Sequence, residues 1–111
     1  MPKELVRFAC AGLLMAMMTV PSRAGDAAAG HVLAQQNCAR CHAVEKGDAF
    51  KLRPPSFQSI AIFRTPEDIW SRIIAPNPHS NMPDTQWLLT PDQVQDLVAY
   101  IASLDVPITL Q

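Results

Sequence analysis

The sequence predicts an all-α domain, and three observations carry that reading. Helix-start signals occur at Asp26, at Thr65-Pro66-Glu67-Asp68 and at Thr90-Pro91-Asp92-Gln93. Behind the last of them, Val94, Leu97, Val98, Ile101 and Leu104 recur at helical spacing. No stretch alternates apolar and polar residues in a way that reads as a convincing strand, and there is no repeat or low-complexity segment.

The first 24 residues are expected to stand apart from that domain. Lys3 and Arg7 make a basic start, Phe8 to Val20 is an uncharged apolar run, and Ser22 and Ala24 place small residues before a cut after Ala24. That is the order of a secretory signal peptide. A permanent membrane helix needs about 20 apolar residues, more than this run supplies. An uncleaved anchor is the alternative. The division expected is therefore residues 1–24 as leader and 25–111 as one small domain with no permanent membrane span.

In the domain, Asp26 caps a first helix through Ala27, Ala28 and Ala29 to the first cysteine of the next segment. Gly30 inside that helix costs about 1 kcal/mol against alanine, so it calls for close approach by another helix. Residues 43–55 read as loop, with a turn at Gly47-Asp48 and helix barred at Pro54-Pro55. Phe57, Ile60, Ala61 and Phe63 make a short apolar helix. Thr65 caps a third helix with Pro66 in its first position and acids in its first turn, running to about Ala75. Its apolar side is Ile69, Trp70, Ile73 and Ile74. Pro76, Pro78 and Pro83 keep the following segment irregular, and this segment holds His79 and Met82. Gln93 is placed to complete a capping box with Thr90, and the last helix runs to about Leu104 before Pro107.

The chemistry is concentrated in Cys38-Ala39-Arg40-Cys41-His42. Two cysteines three apart with a histidine directly after are the c-type haem attachment pattern. On one turn of helix the two thiols can bond two edges of a single porphyrin, and the imidazole can reach the iron. A redox dithiol and half of a zinc site are the competing readings. The dithiol wants a preceding strand in a βαβ unit, and zinc wants a second ligand pair; neither is evident. With residues 1–24 removed, Cys38 and Cys41 are the remaining cysteines and Met82 the remaining methionine. A domain this small needs a staple beyond its own core, and one covalent haem c is such a staple.

Charge excludes one class of partner. Residues 25–111 set Arg40, Lys46, Lys51, Arg53, Arg64 and Arg72 against Asp26, Glu45, Asp48, Glu67, Asp68, Asp84, Asp92, Asp96 and Asp105. A mildly acidic chain without a basic cluster does not point to nucleic acid. The acids are expected to form a solvated surface. His31, beside Gly30, reads as a surface or helix-contact residue.

Taken together, the attachment motif, Gly30 eight residues before Cys38, Asn81-Met82-Pro83, and Leu97 with Tyr100 resemble the class I c-type cytochromes. The likeness is specifically to the small, exported, monohaem bacterial type. The resemblance spans residues 26–105 and implies the cytochrome c fold, with first and last helices crossing and Leu97 and Tyr100 packed on Gly30. It departs at Ala34, where many members carry a bulky aromatic. By the resemblance, His42 is the proximal iron ligand, its second ring nitrogen donating to a proline carbonyl at Pro55 or else Pro54. Met82 is the distal ligand, with His79 as competitor. Pro55, Phe57, Trp70, Leu97 and Tyr100 are expected in the pocket or its packing. Phe63, Ile73, Ile74 and Ile101 are read as core or pocket wall. The resemblance implies a monomeric periplasmic electron carrier rather than an enzyme, passing electrons through the haem edge near Cys38 and Cys41 to redox proteins. The alternatives are the cytochrome subunit of a periplasmic dehydrogenase, and a sensor or enzyme with an open sixth position.

Overall fold

The computed structural model describes residues 24–77, 81–82 and 88–106. Residues 1–23, which include nearly all of the expected leader, lie outside the described residues, as do His79 and Pro83. Among the described residues four helices occur in chain order: α1 (Ala27–Asn37), α2 (Phe57–Phe63), α3 (Pro66–Ile74) and α4 (Pro91–Ser103). Among the described residues there is no strand, only an isolated bridge between Leu52 and Pro55. No described helix is long and apolar enough to cross a membrane.

Every helix begins where a side chain satisfies its free N–H groups. Asp26 accepts from the amides of Ala28 and Ala29 at 2.9 and 3.2 Å. Ser56 caps α2 through the Ser59 amide, and Thr65 caps α3 through that of Asp68. At α4 the capping box is complete. The Gln93 amide donates to the Thr90 hydroxyl at 3.3 Å, and the Thr90 amide to the Gln93 side chain at 2.9 Å.

Helix α4 is the hub, with α1, α2 and α3 all packed on it and the α1–α4 contact the most extensive. Val94, Leu97 and Ile101 are its most deeply buried apolar residues. Phe57 and Ala61 of α2, and Ile69 and Ile73 of α3, complete the core, with Trp70 and Ile74 half-buried at its edge. Ala34 of α1 is fully buried.

The α1–α4 crossing depends on glycine. A β-carbon on Gly30 would collide with the carbonyl oxygen of Asp96 and stand 2.8 Å from Cβ of Tyr100. The contact expected with Tyr100 is there, but the partner that requires glycine is the Asp96 backbone and not the Leu97 side chain. Gly25 repeats the device against the carbonyl of Gln95 and Cβ of Ala99.

Two expectations are corrected. Asp96 is not a solvated acid. It is buried and accepts the Asp26 amide at 2.7 Å, supplying a partner to a backbone N–H at the start of α1. Phe63 is not core; it is 68% exposed at the end of α2. Phe57 and Ala61, four residues apart, form the inward stripe of that short helix, and Phe63 falls off it.

Candidate haem site

The attachment motif sits where α1 unwinds. The Cys38 amide closes the helix on the Ala34 carbonyl at 2.9 Å. The Cys38 carbonyl then accepts from the Cys41 and His42 amides at 3.1 and 2.9 Å. That turn brings both cysteines and the histidine to one corner of the fold. Both cysteines are free thiols. Cys38 is half-buried against the core and Cys41 is exposed. Burial pushes the Cys38 thiol up to about 11. Reactive dithiols are shifted the other way, so this environment disfavours the redox-dithiol reading. Among the described residues no three His, Cys, Asp or Glu side chains converge as a metal cluster, which leaves the zinc reading without support there.

His42 is oriented from outside the motif. Its Nδ1 lies 2.6 Å from the Pro55 carbonyl oxygen, which can only accept, so Nδ1 carries the proton. The Nε2 lone pair is left as the available ligand. The Pro55 alternative is therefore the one present, and Pro54 is not the acceptor. Phe57 packs beside the imidazole, ring centroids 5.6 Å apart and tilted by 51°. Tyr100 lies 6.4 Å beyond Phe57 and donates its hydroxyl to the Val44 carbonyl at 2.6 Å. That bond pins the chain two residues past His42 to α4. Burial, then the carboxylates of Glu45 and Asp48, raise the Tyr100 phenol above its ordinary value, so it remains a donor.

The remaining predicted residues fall into two groups. Leu97 is deep in the core, and Trp70 lies at the core's edge. Both are packing residues of the scaffold. Met82 is half-buried, on a stretch bounded on both sides by segments outside the described residues.

The sequence reading missed a latch beside the motif. His31 Nε2 lies 2.8 and 3.0 Å from the two Glu45 oxygens, and the Gln35 amide donates to Glu45 at 2.8 Å. The His31 ring stacks on Tyr100 with centroids 4.7 Å apart. Two residues of α1 thus hold the loop that comes after His42. Hydrogen bonds from Gln35 and then His31 lower the Glu45 carboxyl below its ordinary value. No signal in the sequence pairs residues ten and fourteen positions apart across a loop.

A concave surface of about 580 Å³ opens beside the motif, bordered by Gln35, Arg40, Cys41, His42, Glu45 and Lys51 among others. Arg40, Glu45, Asp48 and Lys51 put charge on its rim, and Phe57, Trp70 and Met82 do not border it.

The family described as cytochrome c oxidase, cbb3-type, subunit III matches residues 25–101. The chain belongs to this family. It is a small c-type cytochrome, and a domain of this kind carries covalently bound haem c and serves haem-based electron transfer. Comparison with curated proteins and with solved structures finds no match.

The residues present fit the group. Two free thiols flank one turn, an imidazole is held in the tautomer that leaves Nε2 available, and aromatic and aliphatic side chains stand behind it. Cys38 and Cys41 would hold the porphyrin by thioether bonds, and His42 would bind its iron.

Proposed function

We propose that the protein is an exported, periplasmic electron carrier in which His42 and Met82 are the two axial iron ligands. The observation that carries it is the 2.6 Å bond from His42 Nδ1 to the Pro55 carbonyl. A histidine so oriented is a better ligand, because the bond fixes the ring and raises its basicity. Bound haem supplies an iron that cycles between ferric and ferrous states. The chain supplies everything else. Cys38 and Cys41 fasten the porphyrin, and the Tyr100–Val44 bond keeps the following loop in place. Phe57 and its apolar neighbours exclude water, which favours the less charged reduced state. Met82 gives a soft, neutral sulfur that acts in the same direction. With His42 and Met82 both holding the iron, no position would be left for a substrate, and this argues for a carrier over an enzyme. Residues 1–24 are proposed as a leader cut after Ala24. The close seat of Gly25 on α4 supports a domain that starts there.

The test is a reduced-minus-oxidised spectrum with a redox titration on protein isolated from the periplasmic fraction, together with N-terminal sequencing. A single reversible one-electron couple and a first residue at Gly25 are expected. An open-site, high-spin ferric spectrum would replace the carrier with a sensor or enzyme. Met1 or Pro2 on haem-loaded protein would replace the leader with an anchor.

A second reading, a haem subunit held in a larger redox complex, is favoured by the family's description and by the exposed Phe50, Leu52 and Phe63. Elution of the native protein far above 12.2 kDa in gel filtration would favour it.

A further inference from the structure

The three residues after His42 are each tied to a different helix. The Ala43 carbonyl accepts from the Phe57 amide, at the start of α2, at 2.9 Å. The Val44 carbonyl accepts from the Tyr100 hydroxyl of α4 at 2.6 Å. The Glu45 carboxylate accepts from His31 and from Gln35, both of α1, at 2.8 Å each. Past this point the chain turns on itself. The Glu45 amide donates to the Asp48 carboxylate at 2.9 Å, and the Asp48 amide to the Glu45 carbonyl at 3.2 Å. Those two bonds are internal to the turn, and it is the Glu45 side chain that joins the turn to α1.

His31 is aimed at that carboxylate by its stack on Tyr100, ring centroids 4.7 Å apart and 29° between planes. A carboxylate only accepts, so Nε2 of His31 carries a proton, and it does so in the neutral and in the charged ring alike. The same Tyr100 that turns the edge of His31 toward Glu45 also holds Val44. The Ala43–Phe57 bond and the bond from His42 Nδ1 to the Pro55 carbonyl are neighbouring rungs between the same two stretches, residues 42–43 and 55–57. Slack in one rung is slack in the other. Fixing the backbone of one residue costs more entropy than one hydrogen bond returns. The 43–45 segment therefore stays ordered because its three ties act together.

We propose that His31 is a positioning residue for His42: its bond to Glu45 completes the three-helix tie of residues 43–45, and that tie holds the His42 imidazole on the Pro55 carbonyl. The inference rests on the reading in which His42 binds the haem iron. A looser bond at Nδ1 leaves a less basic imidazole, which stabilises ferric iron less. Loss of the His31 bond therefore raises the midpoint potential, although His31 itself touches neither His42 nor the cysteines by any bond found among the described residues.

The experiment is hydrogen–deuterium exchange followed by nuclear magnetic resonance in the reduced holoprotein, with a redox titration of the same samples. The sites read are the Phe57 amide, His42 Nδ1–H and the amide of Ile101, whose deep burial in α4 makes it the reporter of global opening. His31→Phe keeps a ring to stack on Tyr100 and loses the donor; Glu45→Ala removes the acceptor. Each is expected to speed exchange at Phe57 and His42 by about tenfold relative to Ile101, the size of one hydrogen bond, and to raise the potential. The double variant is expected to go no further than either single one, because both break the same bond. Wild-type exchange and potential in His31→Phe overturn the proposal. Equal speeding at Ile101 overturns it too, since His31 would then serve global stability, and so does an additive double variant. In the wild type, His42 ring-proton resonances that do not move between reduced and oxidised protein refute ligation by His42 itself, independently of the exchange rates.

Discussion

Gly30 of α1 lies directly against the main-chain carbonyl of Asp96 in α4, and the side chain of the same aspartate takes the N–H of Asp26. One residue of α4 thus governs both how closely α1 approaches and where it begins. Substituting Gly30 by valine drives a branched side chain into a backbone oxygen that cannot rotate away. Overpacking of this kind costs about 1–3 kcal/mol, and a backbone obstacle puts Gly30→Val at the upper end. The expected outcome is a lower denaturant midpoint for the holoprotein with an unchanged slope.

Asp96 separates two contributions. Asp96→Asn keeps an acceptor for the Asp26 amide, whereas Asp96→Leu keeps the branching of the side chain and leaves that amide without a partner. A fully buried donor left without a partner costs about 1–3 kcal/mol, and this partly buried one falls at the lower end. Asp96→Leu is therefore expected to unfold at clearly lower denaturant than Asp96→Asn. Equal midpoints would assign the role of Asp96 to its backbone alone.

The latch on the motif loop responds to acid. The Glu45 carboxyl is held below its ordinary value by Gln35 and His31. A carboxyl lowered in the folded state contributes stability that is present above its unfolded value of 4.5. That contribution is lost as pH falls through the lower folded value. Denaturation midpoints measured from pH 6 down to pH 3 should fall less steeply for Glu45→Gln than for wild type over the acid end of that range. Parallel curves would remove Glu45 from the acid response.

These features differ in how far the sequence exposed them. Caps are local, so Asp26, Thr65 and Thr90 marked the helix starts without knowledge of the fold. The motif was legible because its residue types are dictated by one attachment, whereas the proline carbonyl that orients His42 came from the family resemblance, which left Pro54 open beside Pro55. Asp96 was not legible, because its burial depends on where α1 lies and not on its neighbours in α4. Phe63 was misread because an apolar residue at the end of a seven-residue helix has no second turn to show which side faces inward. The His31–Glu45 latch joins a helix to a loop through side chains alone, and leaves no pattern in spacing.

Met82 is the residue on which the carrier reading depends. It is half-buried, and it is the one methionine of residues 25–111. Pro76 and Pro83 restrict the backbone on either side of it, which reduces the entropy lost in holding a sulfur in one place. On that reading, replacing it with alanine would remove a soft neutral ligand and open a coordination position to water. Met82→Ala is expected to lower the midpoint potential, to bind carbon monoxide rapidly in the reduced state, and to lose the weak far-red band that methionine ligation gives the oxidised protein. His79→Ala should leave that band intact. The opposite pattern, a wild-type protein without the band and a spectrum altered by His79→Ala, would make His79 the second ligand. The potential should then be lower from the outset, because a second imidazole favours the oxidised iron more than a thioether does.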